Sequence, residues 1–136
     1  EGLRDGAVEV VPIARALLRN QATPASQKQF ALLALAKYRF PEDDLLVQQC
    51  FDDASPIDTY FSGGVVIKSQ LRDIALATLI VRAGKDPPDF GFKYLRRDDR
   101  VPFSPSTLGF KDDDERRAAF EKWLSRATRR DDGLKP

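Results

Sequence analysis

The sequence predicts a mainly α-helical single domain, 1–136, built of helix pairs packed side by side. Three observations carry that prediction. Apolar residues recur at helical spacing through successive stretches, two of those stretches are apolar on every face, and proline or acidic starts precede the helical runs. A chain of 136 residues, 42% apolar and 32% charged, is long enough to bury one core. Its longest uninterrupted apolar run, Phe30 to Ala36, falls far short of the ~20 residues of a membrane span, so no membrane insertion is expected.

The first helix is expected from Ala7 to Arg19, with Val10, Ile13, Ala14, Leu17 and Leu18 on one face and Glu9, Arg15 and Arg19 on others. Pro12 lacks an amide donor and is placed in its first turn. Thr23 followed by Pro24 announces a second helix, a capping hydroxyl and then a proline suited to the first helical position. It should run to about Tyr38, enclosed by neighbours, because residues 30 to 36 are apolar all round. Pro41 with Glu42, Asp43 and Asp44 starts a third, since acids complement the positive end of a helix dipole. Its inner side is expected to be Leu45, Leu46, Val47, Cys50 and Phe51.

Two β-rich runs, Ile57-Asp58-Thr59-Tyr60-Phe61 and Val65-Val66-Ile67, flank Ser62-Gly63-Gly64 and read as a short hairpin. A fourth helix follows from about Ser69 to Arg82, with Gly84 as its stop. Residues 85–111 hold Pro87, Pro88, Pro102 and Pro105 and cannot be continuous helix. The same stretch carries Phe90, Phe92, Tyr94, Phe103 and Phe110, so an ordered aromatic-rich loop pinned across the helices is expected. A closing helix over 112–130 should present Phe120, Trp123, Leu124 and Ala127 on one face, with fraying after Arg130.

Shifting the chain by 44 residues lays Phe30-Ala31-Leu32 over Ile74-Ala75-Leu76, and a shift of 33 lays Ala14, Leu17 and Leu18 over Val47, Cys50 and Phe51. The difference between the shifts matches the size of the hairpin. Ala31-Leu32-Leu33-Ala34-Leu35 and Leu71-Arg72-Asp73-Ile74-Ala75-Leu76-Ala77 resemble divergent HEAT or armadillo-type repeats. That resemblance covers residues 7–84 and implies two HEAT-like helix pairs, the second with the β-hairpin inserted between its helices. The final helix then acts as a C-terminal cap. The tail, with Gly84-Lys85-Asp86-Pro87, Asp89-Phe90-Gly91-Phe92 and the helix from Asp113-Asp114-Glu115 to Trp123, is similar to the ends of uncharacterised planctomycete-type bacterial proteins. This similarity implies no activity.

The inventory for chemistry is sparse. The chain has no histidine, which removes Ser-His-Asp, Cys-His and His-based metal sites. Gly63-Gly64 lacks the residues a phosphate-cradling loop needs and reads as a turn. Asp112-Asp113-Asp114-Glu115 and Glu42-Asp43-Asp44 read as helix starts, not metal sites, and Asp52-Asp53 as a helix end. The single cysteine, Cys50, lies in an apolar stripe and is expected to be a buried thiol. No cofactor, metal or catalytic residue is therefore expected, and the chain is read as not an enzyme.

The formal net charge of +1 argues against a dedicated nucleic-acid surface. Charge is nonetheless segregated: residues 42–67 hold six acids and no base, whereas 1–39 and 68–85 each carry a basic surplus. In HEAT-type stacks the second helix of each pair lines the inner surface, so the resemblance makes Lys28, Lys68, Arg72 and Arg82 candidates for a shared basic strip. Arg96 and Arg97 are added from the mixed-sign loop Arg96-Arg97-Asp98-Asp99-Arg100. The expected function is protein–protein interaction or scaffolding within a larger polypeptide, the absence of methionine suggesting a processed or excised product. The partner is another protein or another part of the parent chain. Nucleic-acid binding by the basic strip is the alternative, and the compartment is left open.

Overall fold

In the computed structural model, which describes residues 2–95 and 105–134 and the side chains of 9–95 and 105–125, the first helix runs straight past its proline. α1 spans Gly2–Arg19 with Pro12 inside it, which corrects the start expected near Ala7 and the first-turn placement of Pro12. Pro12 is exposed while Val11 and Ala14 are buried. The missing amide thus burdens the wet face of the helix, and the packed face keeps its contacts.

α2 (Ala25–Lys37) is capped by Pro24, whose backbone is extended, and no side chain caps it. Thr23 is one residue too early. Its amide donates to the Asn20 carbonyl at 3.1 Å, and the Pro24 carbonyl accepts from Gln27 and Lys28, each at 3.0 Å. Ala31, Leu32, Ala34, Leu35 and Ala36 are buried against α1 and the later α4, so the apolar run is enclosed from Ala31 to Ala36, while Ser26, Gln27, Phe30 and Lys37 are exposed.

The expected third helix is a composite. A 3-10 turn at Pro41–Asp43 leads into α3 (Asp44–Gln48), and a second 3-10 turn follows at Gln49–Asp52. Tighter winding brings residues three apart into line, so Val47 and Cys50 point inward. Leu45, expected on the inner side, is 70% exposed.

β1 (Pro56–Ser62) and β2 (Val65–Gln70) form the small antiparallel sheet. Gly63 and Gly64 connect them with φ of +54° and +83°, as a two-residue loop with both residues left-handed requires. Tyr60 opposite Ile67 faces the core, and Phe61 opposite Val66 and Thr59 opposite Lys68 face outward. A bulge between Pro56 and Asp58 shifts the register at the base. The far edge of β2 is covered at one point, where Lys68 and Phe110 exchange both backbone bonds at 3.1 and 3.2 Å.

α4 (Leu71–Arg82) follows β2 directly and is buried over most of its circumference, from Ile74 to Val81. The amides of Leu71 and Arg72 donate to the Ser55 and Asp53 carbonyls, each at 2.9 Å. At the other end Gly84, with φ of +76°, lets Lys85 reach the Ile80 carbonyl and Gly84 the Val81 carbonyl. That pair of bonds is the Schellman closure, and it places Gly84 where the sequence predicted a stop.

Beyond α4 the aromatic loop is pinned as expected over its described part. Phe90, Phe92 and Phe110 are buried, the Phe92 and Phe110 rings lie 4.9 Å apart, and Phe90 meets Trp123 edge-on at 5.6 Å. Short 3-10 turns at Pro87–Phe90 and Pro105–Thr107 bracket it, and Phe103 lies outside the described residues. α5 (Asp113–Leu134) runs past the expected fraying point. Its inward side carries Arg116 and Ala119, with Phe120 and Trp123 half-buried, whereas Leu124, expected on the same face as these two rings, is 55% exposed, and the Ala127 side chain lies outside the described ones. The molecule is therefore mainly helical with one small two-stranded antiparallel sheet.

Candidate functional site

Charge enters the interior where β2 turns into α4. The Gln70 amide donates to Asp73 Oδ2 at 2.9 Å while the Gln70 side chain accepts from the Asp73 backbone, a reciprocal cap that draws Asp73 inward until it is fully buried. Arg116 reaches it from α5 through Nε at 2.8 Å and Nη2 at 3.0 Å. The rest of that guanidinium is spent on Asp113 and on the Lys68 carbonyl, and its plane lies 5.6 Å from the centre of the Phe110 ring. Desolvating two charges costs several kcal/mol, and the pair is favourable only when every lone pair and N–H is matched. That condition is approached here: Arg116 makes four such bonds, and no buried side-chain polar atom among the described residues is wholly without a partner. Burial pushes the Asp73 carboxyl up, with Arg116 and the Gln70 amide opposing it.

Beside this pair opens a pocket of about 350 Å³ lined by Phe51, Arg72, Asp113, Arg116, Arg117 and Phe120. The Phe51 and Phe120 rings meet at 5.2 Å and 82°, forming an apolar wall. Arg117 stands 3.4 Å from Asp114, both largely exposed, and such a surface pair is weak. Arg72 donates through Nε to Gln70 Oε1 at 2.6 Å and, among the described residues, lies in no ion pair.

The residues nominated from the sequence are dispersed around this geometry. Lys28 pairs with Asp53 at 3.3 Å, and the Asp53 carbonyl is the one that accepts from the Arg72 amide, so Lys28 and Arg72 approach the same residue. Burial raises the Asp53 carboxyl, but hydrogen bonds from Ser55 and Lys28 outweigh it and hold the group below its usual range. Lys68 is exposed on the outer face of the hairpin. Arg82 is turned inward: Nε meets Asp44 at 2.7 Å, Nη1 donates to the Leu35 and Tyr38 carbonyls and Nη2 to that of Phe40. It closes the C-terminal end of α2. Ten residues of helix, ~15 Å at 1.5 Å per residue, separate Arg72 from Arg82, so α4 holds them at opposite ends. Arg96 and Arg97 lie outside the described residues.

Sequence reasoning missed Arg116 and Asp73 as a pair, and likewise Arg15 with Asp43, joined at 2.7 and 3.0 Å with Asp43 buried. By sequence Asp43 is indistinguishable from a dipole acid, because its partner lies 28 residues away. The one local signal was Gln70 three residues ahead of Asp73. Asp112 does act as the expected helix start, accepting from the Glu115 amide at 2.9 Å. No group of three metal-ligating side chains occurs among the described residues, and none of their helices is long and apolar enough to cross a membrane.

Cys50 is buried, and burial raises its thiol to about 11. Relative to an ordinary thiol at 9.0, its thiolate fraction at neutral pH falls about 100-fold. Alkylation of the folded chain by iodoacetamide should therefore be at least a hundred times slower than in denaturant. Equal rates would show an accessible, reactive thiol. No family model, curated protein or solved structure matches the chain.

Proposed function

We propose that this domain is a non-catalytic protein–protein interaction module that docks another protein or another part of its parent chain. The observation that carries this reading is the outer face of the hairpin. Phe61, 73% exposed, stands directly opposite Val66, 42% exposed, with Thr59 and Lys68 adjacent on the same face. A cross-strand aromatic and β-branched pair stabilises a sheet most when it is covered. Left in water it forgoes roughly 25 cal/mol per Å² of apolar surface, a cost that contact with a partner removes.

The helix packing supports a HEAT-like scaffold beneath that face. α1 packs on α2, α3 on α4, and α2 on α4, the neighbour relations of two stacked pairs, with the hairpin inserted between α3 and α4. The nucleic-acid alternative has less support, because Lys28 and Arg82 are engaged with Asp53 and Asp44. A photo-crosslinking residue at position 61, introduced in the parent polypeptide in its native cell, should yield one dominant adduct that Val66→Asp abolishes without loss of helicity. Absence of any adduct overturns the reading. So does substrate turnover by the domain that depends on its own carboxylates.

A further inference from the structure

We infer that the pocket between the end of α3, the start of α4 and the start of α5 binds a monocarboxylate carrying an apolar group. Its lining divides by chemistry: Phe51 and Phe120 supply an apolar wall, and Arg72, Arg116 and Arg117 supply donors. The three guanidiniums differ in what they have left to give. Arg116 already makes four hydrogen bonds, to Asp73, Asp113 and the Lys68 carbonyl, and ties the rear of the pocket to β2 and α4. Among the described residues Arg117 is held only by solvent-exposed Asp114. Arg72 uses Nε on Gln70, and its two terminal nitrogens form a planar fork with no partner among the described residues. A carboxylate matches that fork with two parallel N–H···O bonds.

Charge selects among anions. The formal charges of Arg72, Arg116 and Arg117 cancel those of Asp73, Asp113 and Asp114, so the site offers the one guanidinium outside these ion pairs to one negative charge, and the Asp113 carboxylate on the lining opposes a second. The edge-to-face ring pair sets the apolar half of the ligand, since a hydrocarbon or phenyl group laid on it displaces water from two half-buried rings. A pocket of about 350 Å³ has room for a small acid or for the last residue of a peptide, and not for a large cofactor. The site is separate from the outer face of the hairpin, so it stands independently of the interaction surface proposed above.

The test is titration of the isotope-labelled protein with 3-phenylpropionate, followed through the amide signals of residues 72 and 113–117. Saturable shifts in the millimolar range are expected, with 3-phenylpropanamide and inorganic phosphate at the same concentration giving none. Arg72→Gln should weaken binding at least tenfold at an unchanged melting temperature, and Arg117→Gln only about two- to threefold. A short peptide ending in phenylalanine distinguishes the source of the carboxylate: a chain terminus binds more tightly than 3-phenylpropionate and loses binding on C-terminal amidation, whereas a free acid is the ligand if the peptide binds more weakly. No saturation by either carboxylate, tighter binding of phosphate, or an Arg72→Gln variant that binds as well as the parent overturns the proposal.

Discussion

Replacing Arg116 by leucine lowers the stability of the fold by about 3–5 kcal/mol, the cost of leaving a buried carboxylate without its partner. Asp73 is fully buried, and two of the three donors around its carboxyl come from Arg116, at 2.8 and 3.0 Å. Removing them leaves the Gln70 amide, at 2.9 Å, as its one remaining close donor. Adding Asp73→Asn should recover more than half of the loss, because the amide oxygen still accepts from Gln70 and no unpaired charge remains. Urea unfolding of the parent, the single and the double variant measures both numbers. A single-variant cost below about 1 kcal/mol would be that of a surface ion pair and would refute the account.

The same variant carries a pH signature. Burial already pushes the Asp73 carboxyl up, and Arg116 is the leading opposition to that push. Without it the folded-state pKa rises further above the unfolded value of ~3.9. A carboxyl shifted upward binds its proton more tightly in the folded state, so stability is retained below the unfolded pKa and lost as pH rises through the folded one. The deficit of Arg116→Leu relative to the parent should therefore be smallest near pH ~4 and widen toward neutrality.

Gly109→Ala should cost about 3 kcal/mol, the upper end of the usual range for overpacking. A Cβ at position 109 would lie 2.5 Å from the Lys68 carbonyl oxygen, 2.6 Å from its carbon and 2.8 Å from the Ser69 nitrogen. All three are backbone atoms, so no side-chain rotation relieves the clash. β2 has to separate from residues 109 and 110, stretching the paired bonds between Lys68 and Phe110. Phe110 cannot follow freely, because its ring packs on Phe92 and lies beneath Arg116. Gly63→Ala is the control: nothing lies within 4 Å of its added Cβ, leaving only the strain of φ at +54°, about 1–2 kcal/mol. Equal melting temperatures for the two variants would refute the close-approach argument.

Local physics explains which parts of this fold could be read in advance. The glycine pair in the hairpin, Gly84 at the end of α4 and Asp112 at the start of α5 each act within a few residues of themselves. The all-round apolar segments of α2 and α4 pointed to enclosure because no solvated face could be assigned to them. Errors arose where two local rules competed. Pro12 satisfied a first-turn rule but lies on an exposed face that tolerates it inside α1, and the apolar run after Pro41 had the composition of one helix but winds as three short pieces.

The sequence by itself determined the helical class, the hairpin with its turn and the aromatic anchoring of the loop, since these follow from periodicity, backbone freedom and hydrophobicity along a short span. Tertiary structure alone decided what the charges do. Arg82, a candidate for the basic strip by sequence, closes α2 from within, while Arg116, which no local signal singles out, holds the fully buried carboxylate of Asp73. Arg116 and Asp73 are separated by 43 residues. Coulomb attraction and desolvation depend on distance and burial in three dimensions, neither of which any spacing along the chain encodes.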